Sequence, residues 1–362
     1  MRKFAQYIAV CATLVLSLLS CRVHVWPNEP IPSVEVELTL TFDTDMPEHA
    51  EITRAAKSIP AENYALRYIV KAYPVASDNS IIKSEVLSDV WSKEEDLTQH
   101  NEQHKLMLPP GKYRLYAWVD YVDKNSLEDK FYNTGSEHGF GMVSLIMHEP
   151  KQSLGNNHFR NIFIGNTLVE VDEMYELGLP SVKANIEMSQ PLAMFQFVTT
   201  DIDEFVRKEL QEREKRAAEN GVILPESELQ PSSVDLSQYK VIIQYNDFMP
   251  TAFDLFENQP TNSDSGVTFT SYITSTSGNE ALLGFDYTFI LNDYTEEGTH
   301  PRFSLYVYNT EDKLLSAAKD IAVPLHRGKY TTIKGTFLTM QASGGVNINP
   351  DFENEHNIII GN

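Results

Sequence analysis

Four places in this sequence gather residue types that can do chemistry. "HNEQH" (100–104) sets His100 and His104 four apart, the spacing of a zinc-binding pair on a helix. In that chemistry the general base directly follows the first histidine, and here Glu102 stands in the middle instead. The segment also runs into an alternating stretch that reads as a strand, where four residues do not make one helical turn. "GSEHGFG" (135–141) is glycine-rich but lacks the lysine and the following helix of a phosphate loop, so a plain loop is expected. "PDFENEHN" (350–357) clusters Asp351, Glu353 and Glu355 without the glycine and spacing of an EF-hand, and a polar turn is expected. Trp26, Trp91 and Trp118 are the residue type of a sugar platform, although Trp118 falls in a strand and reads as core. No nucleophile-elbow pattern links a serine to a histidine and an acid. The expectation is a protein with no catalytic residues, no cofactor and no metal.

One residue invites a covalent modification. Arg2 and Lys3 precede Phe4–Leu19, an uncharged and mostly apolar run of 16 residues that reads as the core of an export signal. That is short of the roughly 20 residues a stable membrane-spanning helix needs. Leu18, Leu19 and Ser20 then lead into Cys21 in the manner of a bacterial lipobox. Cys21 would be lipidated and become the first residue of the mature chain; an ordinary secretory signal or an anchor helix is the other reading. The chain has two cysteines, and Cys11 lies in the apolar run. After cleavage neither a disulfide, a thiolate zinc site nor a cysteine nucleophile remains.

Charge narrows the partners. Taking Arg2 and Lys3 from 29 basic residues leaves 27 against 51 acidic ones, a formal charge of −24. Such a surface repels phosphate backbones, so no nucleic-acid partner is expected. It is repelled from anionic lipid as well, which makes covalent acyl chains the plausible tether; two chains hold a protein where one barely does.

The elements that would position any site are strands. Residues 21–33, with Pro27, Pro30 and Pro32, read as a tether. "VEVELTLTF" (34–42) alternates strictly, the mark of a half-buried strand. Further strands are expected at 66–75, 104–109, 112–122, 159–171 and 181–189, with a tight turn at Pro109-Pro110-Gly111. A second set is expected at 191–200, 239–248, 266–273, 282–291, 302–309, 330–339 and 345–349. Short strands separated by turns imply an all-β fold of two antiparallel β-sandwich domains. The division is 1–20 signal peptide, 21–33 tether, 34–185 N-terminal domain and 186–362 C-terminal domain. One short helical insertion is expected at 201–221, supported by Glu209–Arg213 and Glu212–Arg216 at the i, i+4 spacing.

Several segments together resemble the fimbrillin-like lipoproteins of Bacteroidales, in the type V pilin superfamily. They are "LPPGKYRLYAWVDYVD", "HFRNIFIGN", "SQPLAMFQFVTTDIDEF", "LLGFDYTFIL", "VPLHRGKYTTIKGTFLT" and "SGGVNINPDFENEHNI". The resemblance implies two transthyretin-like or Ig-like sandwiches and lipid-dependent export to the outer membrane, at the cell surface or in a fimbrium. It also implies assembly with other fimbrial subunits. In assembling members an arginine-specific protease removes the first strand, and a neighbour's strand fills the groove. Here the strand 34–42 is followed by "DTDMPEHAEITRAAKS", where cleavage after Arg54 would make Ala55 the new N-terminus. A monomeric lipoprotein that binds a host or glycan ligand is the alternative expectation.

Overall fold

In the computed structural model, the described residues are 33–42, 63–94, 101–135, 137–172, 181–291, 301–340 and 356–360. Strand β1 (Val34–Phe42) shows how sequence pattern becomes structure. Its five apolar residues are buried and the Glu and Thr residues between them half-buried, because successive side chains point to opposite faces. The N-terminal half continues with β2 (Tyr64–Pro74), β3 (Leu87–Lys93), β4 (Asn101–Leu108), β5 (Gly111–Asp123), β6 (Tyr132–Asn133), β7 (Val143–Leu145), β8 (Phe163–Val171) and β9 (Val182–Met188). After β10 (Leu192–Thr199) and the helix α1 (Ile202–Glu219) come β11 (Lys240–Tyr245), β12 (Phe248–Asp254), β13 (Gln259–Ser265), β14 (Thr268–Tyr272) and β15 (Thr274–Ser277). The chain then forms β16 (Glu280–Phe289), β17 (Arg302–Tyr308), β18 (Leu314–Ala322), β19 (Tyr330–Gly335) and β20 (His356–Ile360).

The protein is all-β with one helical insertion, as its patterning implies. In the N-terminal half the sheet β4-β1-β9 packs against β3-β2-β5-β8, with Phe42 of β1 edge-on to Phe163 of β8 at 5.4 Å. In the C-terminal half the sheets are β15-β16-β10-β19-β20 and β14-β11-β17-β18. Phe195 and Phe197 of β10 meet Phe303 of β17 between them. A fifth sheet, β13-β12-β7-β6, is built from both halves: Ala252 and Phe253 of β12 pair with Ser144 and Val143 of β7.

Some details differ from the sequence expectation. Three pairings are parallel, β1 with β9, β10 with β19 and β19 with β20. Each joins strands separated by a long stretch of chain, which a parallel crossover requires. Strand β9 runs through 185 and 186, the position of the expected domain division, and pairs with β1 along its whole length. In α1 the buried residues are Ile202, Phe205 and Val206, all in its first turns. The two expected ion pairs give way to tertiary contacts. Glu209 accepts from Tyr239 Oη at 2.9 Å, Arg213 donates to Ser233 Oγ at 3.0 Å, and Arg216 lies 3.7 Å from Glu311. No helix among the described residues is long and apolar enough to cross a membrane.

Candidate functional site

The geometry singles out the place held by β1. This strand is N-terminal to every other described element, yet it lies in the middle of its sheet. On one side it runs antiparallel to β4, from Val34 opposite Leu108 to Thr41 opposite Asn101. On the other it runs parallel to β9, from Val36 beside Val182 to Phe42 beside Met188. Both backbone edges of β1 are therefore satisfied by strands that come much later in the chain. Its inner face places Val34, Val36, Leu38, Leu40 and Phe42 in the core, none more than 7% exposed. At about 1.5–3 kcal/mol per side chain, this burial contributes on the order of 8–15 kcal/mol.

The outer face of β1 is held much more lightly. Glu35 meets Lys105 of β4 at 2.8 Å, Glu37 lies 3.9 Å from Lys183 of β9, and Thr41 donates to Asn185 at 2.9 Å. These side chains are open to solvent, and such pairs contribute little. The slot between β4 and β9 thus selects alternate apolar side chains and two free backbone edges. Its outer rungs demand almost nothing.

A second arrangement locks the two halves together. Arg160 stands in a short turn whose start is capped by Asn157, its Oδ1 accepting from Phe159 N at 3.0 Å. The guanidinium pairs with Asp286 of β16, and both side chains are essentially excluded from solvent. Arg160 Nη2 also donates to Tyr287 O at 3.2 Å, and Arg160 O accepts from Tyr132 Oη at 2.6 Å. Asp286 further accepts from Tyr245 Oη at 2.9 Å, Ser153 Oγ at 3.2 Å and Tyr287 N at 2.8 Å. Burial alone would lower the Arg160 pKa, but the Asp286 charge together with Tyr132 and Tyr245 outweighs it and holds the guanidinium above its ordinary value. Burial, and next the Asp286 charge, push the Tyr245 hydroxyl well above the usual tyrosine range, so it remains a donor. A second bidentate pair, Arg67 of β2 with Asp120 of β5 at 2.6 and 2.9 Å, reaches on to Asp129 at 2.8 Å. It pins the segment before β6 onto the outer face of that sheet.

The residues expected to carry chemistry are dispersed. Cys21, Arg54, Ala55, Trp26, His100 and the acidic cluster 351–355 lie outside the described residues. His104 stacks on Trp91 at 3.8 Å, Trp91 in turn on Tyr68 at 5.2 Å, and together they close the side of the N-terminal sandwich. Glu102 is buried beside them, accepting from Trp91 Nε1 at 3.2 Å and Lys93 Nζ at 2.6 Å. Trp118 is fully buried and edge-on to Tyr132. Trp91 and Trp118 therefore form no common platform. Among the described residues no group of three or more His, Cys, Asp or Glu side chains could hold a metal ion. Sequence reading did not single out Arg160 and Asp286. The available signal was a charged residue inside an apolar strand, as in "LLGFDYTFIL".

A family model described as a family of unknown function (DUF6562) matches residues 30–361. No curated protein matches the sequence. Among solved structures the chain is similar to a candidate adhesin from Bacteroides ovatus, at 13% identity and a TM-score of 0.45, covering 91% of this chain and 97% of that one. It is similar to a candidate adhesin from Bacteroides thetaiotaomicron at 15% identity and a TM-score of 0.43, covering 80% and 81%. The fimbrial anchor protein Mfa2 from Porphyromonas gingivalis is similar at 13% identity and a TM-score of 0.38, covering 79% and 82%.

Proposed function

The chain belongs to the DUF6562 family, and we propose that it is a structural or adhesive cell-envelope lipoprotein that assembles with other subunits by β-strand exchange. The observation that carries this reading is the slot of β1. A terminal strand lies centrally between β4 and β9, so its removal opens two backbone edges and an apolar groove at once. An incoming strand with alternate apolar residues restores both. The resemblance to fimbrillin-like lipoproteins supports the same reading.

In this proposal Cys21 carries the lipid that tethers the protein to the outer membrane, and Cys21→Ala abolishes metabolic labelling by palmitate. Cleavage after Arg54 exposes Ala55 and releases β1 from its covalent connection. In the same proposal the two sandwiches divide between β9 and β10, a few residues beyond the expected division at 185 and 186.

The test is treatment of the purified precursor with an arginine-specific protease, comparing wild type with Arg54→Ala. The expected result is a new N-terminus at Ala55 together with multimers in the wild type alone. A protein cleaved at Arg54 that stays strictly monomeric, with 34–42 still bound, would contradict strand exchange.

A further inference from the structure

Gly135, Glu137, His138, Gly139 and Gly141 of the glycine-rich stretch, which play no part in the β1 slot, line one wall of a cleft of about 770 Å³ between the two halves. That volume lies within the roughly 300–1,000 Å³ common for small-molecule sites, which also favour such interfaces. The opposite walls come from β2, the segment before β3, and the β12–β13 hairpin.

Phe256 supplies an aromatic surface in the cleft and is fixed in place by edge-on contacts with Tyr73 at 5.0 Å and Tyr116 at 5.2 Å. Gly141 keeps the wall low beside it, since a Cβ there would lie 3.4 Å from the Phe256 ring. At Gly139, with φ +51°, a Cβ would point toward Tyr73 Oη and Lys71 Nζ, each about 4 Å away.

The polar groups are mixed in sign and preorganised. Lys71 Nζ lies 2.8 Å from Glu85 Oε2, and Tyr73 Oη donates to the same oxygen at 3.3 Å. Asp254 Oδ1 accepts from the backbone N of Phe256 and of Glu257 at 2.8 and 3.2 Å, which fixes the carboxylate from its own turn. Lys83 Nζ stands 5.0 Å above the Phe256 ring, with no carboxylate partner among the described residues. Glu137 and His138 complete the titratable lining.

We infer that this cleft is a binding site for a neutral saccharide. An aromatic face receives the C–H face of a sugar ring, while ammonium donors beside carboxylate acceptors match hydroxyls, which both donate and accept. Two lysines against three carboxylates leave no excess of positive charge for an anionic ligand. Glu85 is engaged by Lys71 and Asp254 by backbone N–H groups, while Glu137 is exposed and lies 3.5 Å from His138, so the three are not gathered to hold a cation. The site does not depend on strand exchange, so either conclusion can fail alone.

The test is saturation-transfer NMR on the purified full chain. The probes are the methyl glycosides of glucose, galactose, mannose, N-acetylglucosamine and N-acetylgalactosamine, with glucuronate and N-acetylneuraminate as anionic counterparts. The expected result is transfer to at least one neutral glycoside, with affinity reduced about tenfold or more in both Phe256→Ala and Gly141→Leu. Gly141→Leu fills the cleft without deleting a packed ring, and its circular dichroism and Tm, matched to wild type, separate blocked binding from lost folding. Transfer to no neutral glycoside, transfer to the anionic sugars alone, or binding unchanged in a folded Gly141→Leu would overturn the assignment. Multimer formation after protease treatment is expected to be the same in these variants as in wild type.

Discussion

Strands β1 and β10 occupy the same place in the two halves of the molecule. Each opens its half, and each lies between one antiparallel and one parallel neighbour: β4 and β9 for β1, β16 and β19 for β10. The facing sheets match as well, β3-β2-β5-β8 in one half and β14-β11-β17-β18 in the other. What differs is how the strand is held. β10 is buried on both faces apart from Gln196, follows β9 after three residues, and runs into α1 through Asp201. Asp201 is itself tied to Thr339, accepting from its backbone N at 2.8 Å. β1 is buried on one face, its outer face carries solvent-exposed pairs, and residues 43–63 separate it from β2. One topology thus yields a strand built into the chain and a strand laid into a slot. The second is the strand that the proposed exchange would replace.

The largest expected effect sharpens this contrast within the two slots. Phe197→Ala in β10 should cost about 3–5 kcal/mol, and Leu38→Ala in β1 about 2–5 kcal/mol, both by cavity formation at fully buried sites. Urea unfolding measures each, and the account expects only the β1 variant to be rescued by a supplied strand. Equal rescue of both would erase the distinction.

A similar loss is expected at the lock that holds β16, the neighbour of β10, to the N-terminal half. Arg160→Leu leaves the Asp286 carboxylate buried without its partner and should cost about 3–5 kcal/mol. Arg160→Leu/Asp286→Leu should recover most of that, because no lone charge remains. A double variant no more stable than the single one would show that the pair was not the source of the loss.

Smaller still is Gly165→Ala. Gly165 lies in β8 where it crosses β9, the parallel neighbour of β1, and a Cβ there would fall 2.4 Å from Glu187 O. The backbone must shift, at about 1–3 kcal/mol. Hydrogen exchange should quicken in β9 and β1 and stay unchanged in β10 and β19.

The smallest effect concerns a rim contact of the C-terminal half. Hydrogen bonding to Arg302 holds the Asp247 carboxyl below its ordinary pKa, with Arg302 Nη2 at 3.0 Å from Oδ1. A depressed folded value stabilises above the ordinary carboxylate pKa and is lost as pH falls through the folded one. Both side chains are more than one third exposed, so screening limits the contribution to about 0.2–1 kcal/mol. Asp247→Asn should lower the urea midpoint slightly at pH 6, and the difference should vanish toward pH 3.

The sequence made visible those elements whose side chains divide between core and solvent. β1, β2, β4 and β5 alternate or carry long apolar runs, and the Pro109-Pro110-Gly111 turn lies between β4 and β5 as expected. β13 was illegible: "QPTNSDS" has no apolar pattern, and its place comes from backbone pairing with β12. β7 is three residues long, too short for any periodicity, yet it joins the two halves. The alternation of β1 was legible, and its central position was not, because β9 reaches it from more than 140 residues away. The cleft beside Phe256 was hidden for the same reason: its walls are assembled from segments remote in sequence.

The most direct measurement of strand exchange is binding of a labelled peptide of residues 33–42 to a chain that begins at Ala55. The account predicts saturable binding with a gain in thermal stability, and loss of both when the peptide carries Leu38→Asp, which places a charge at a buried position of the slot. A peptide that fails to bind, or that binds equally well with Leu38→Asp, would contradict the claim that β1 is a replaceable strand.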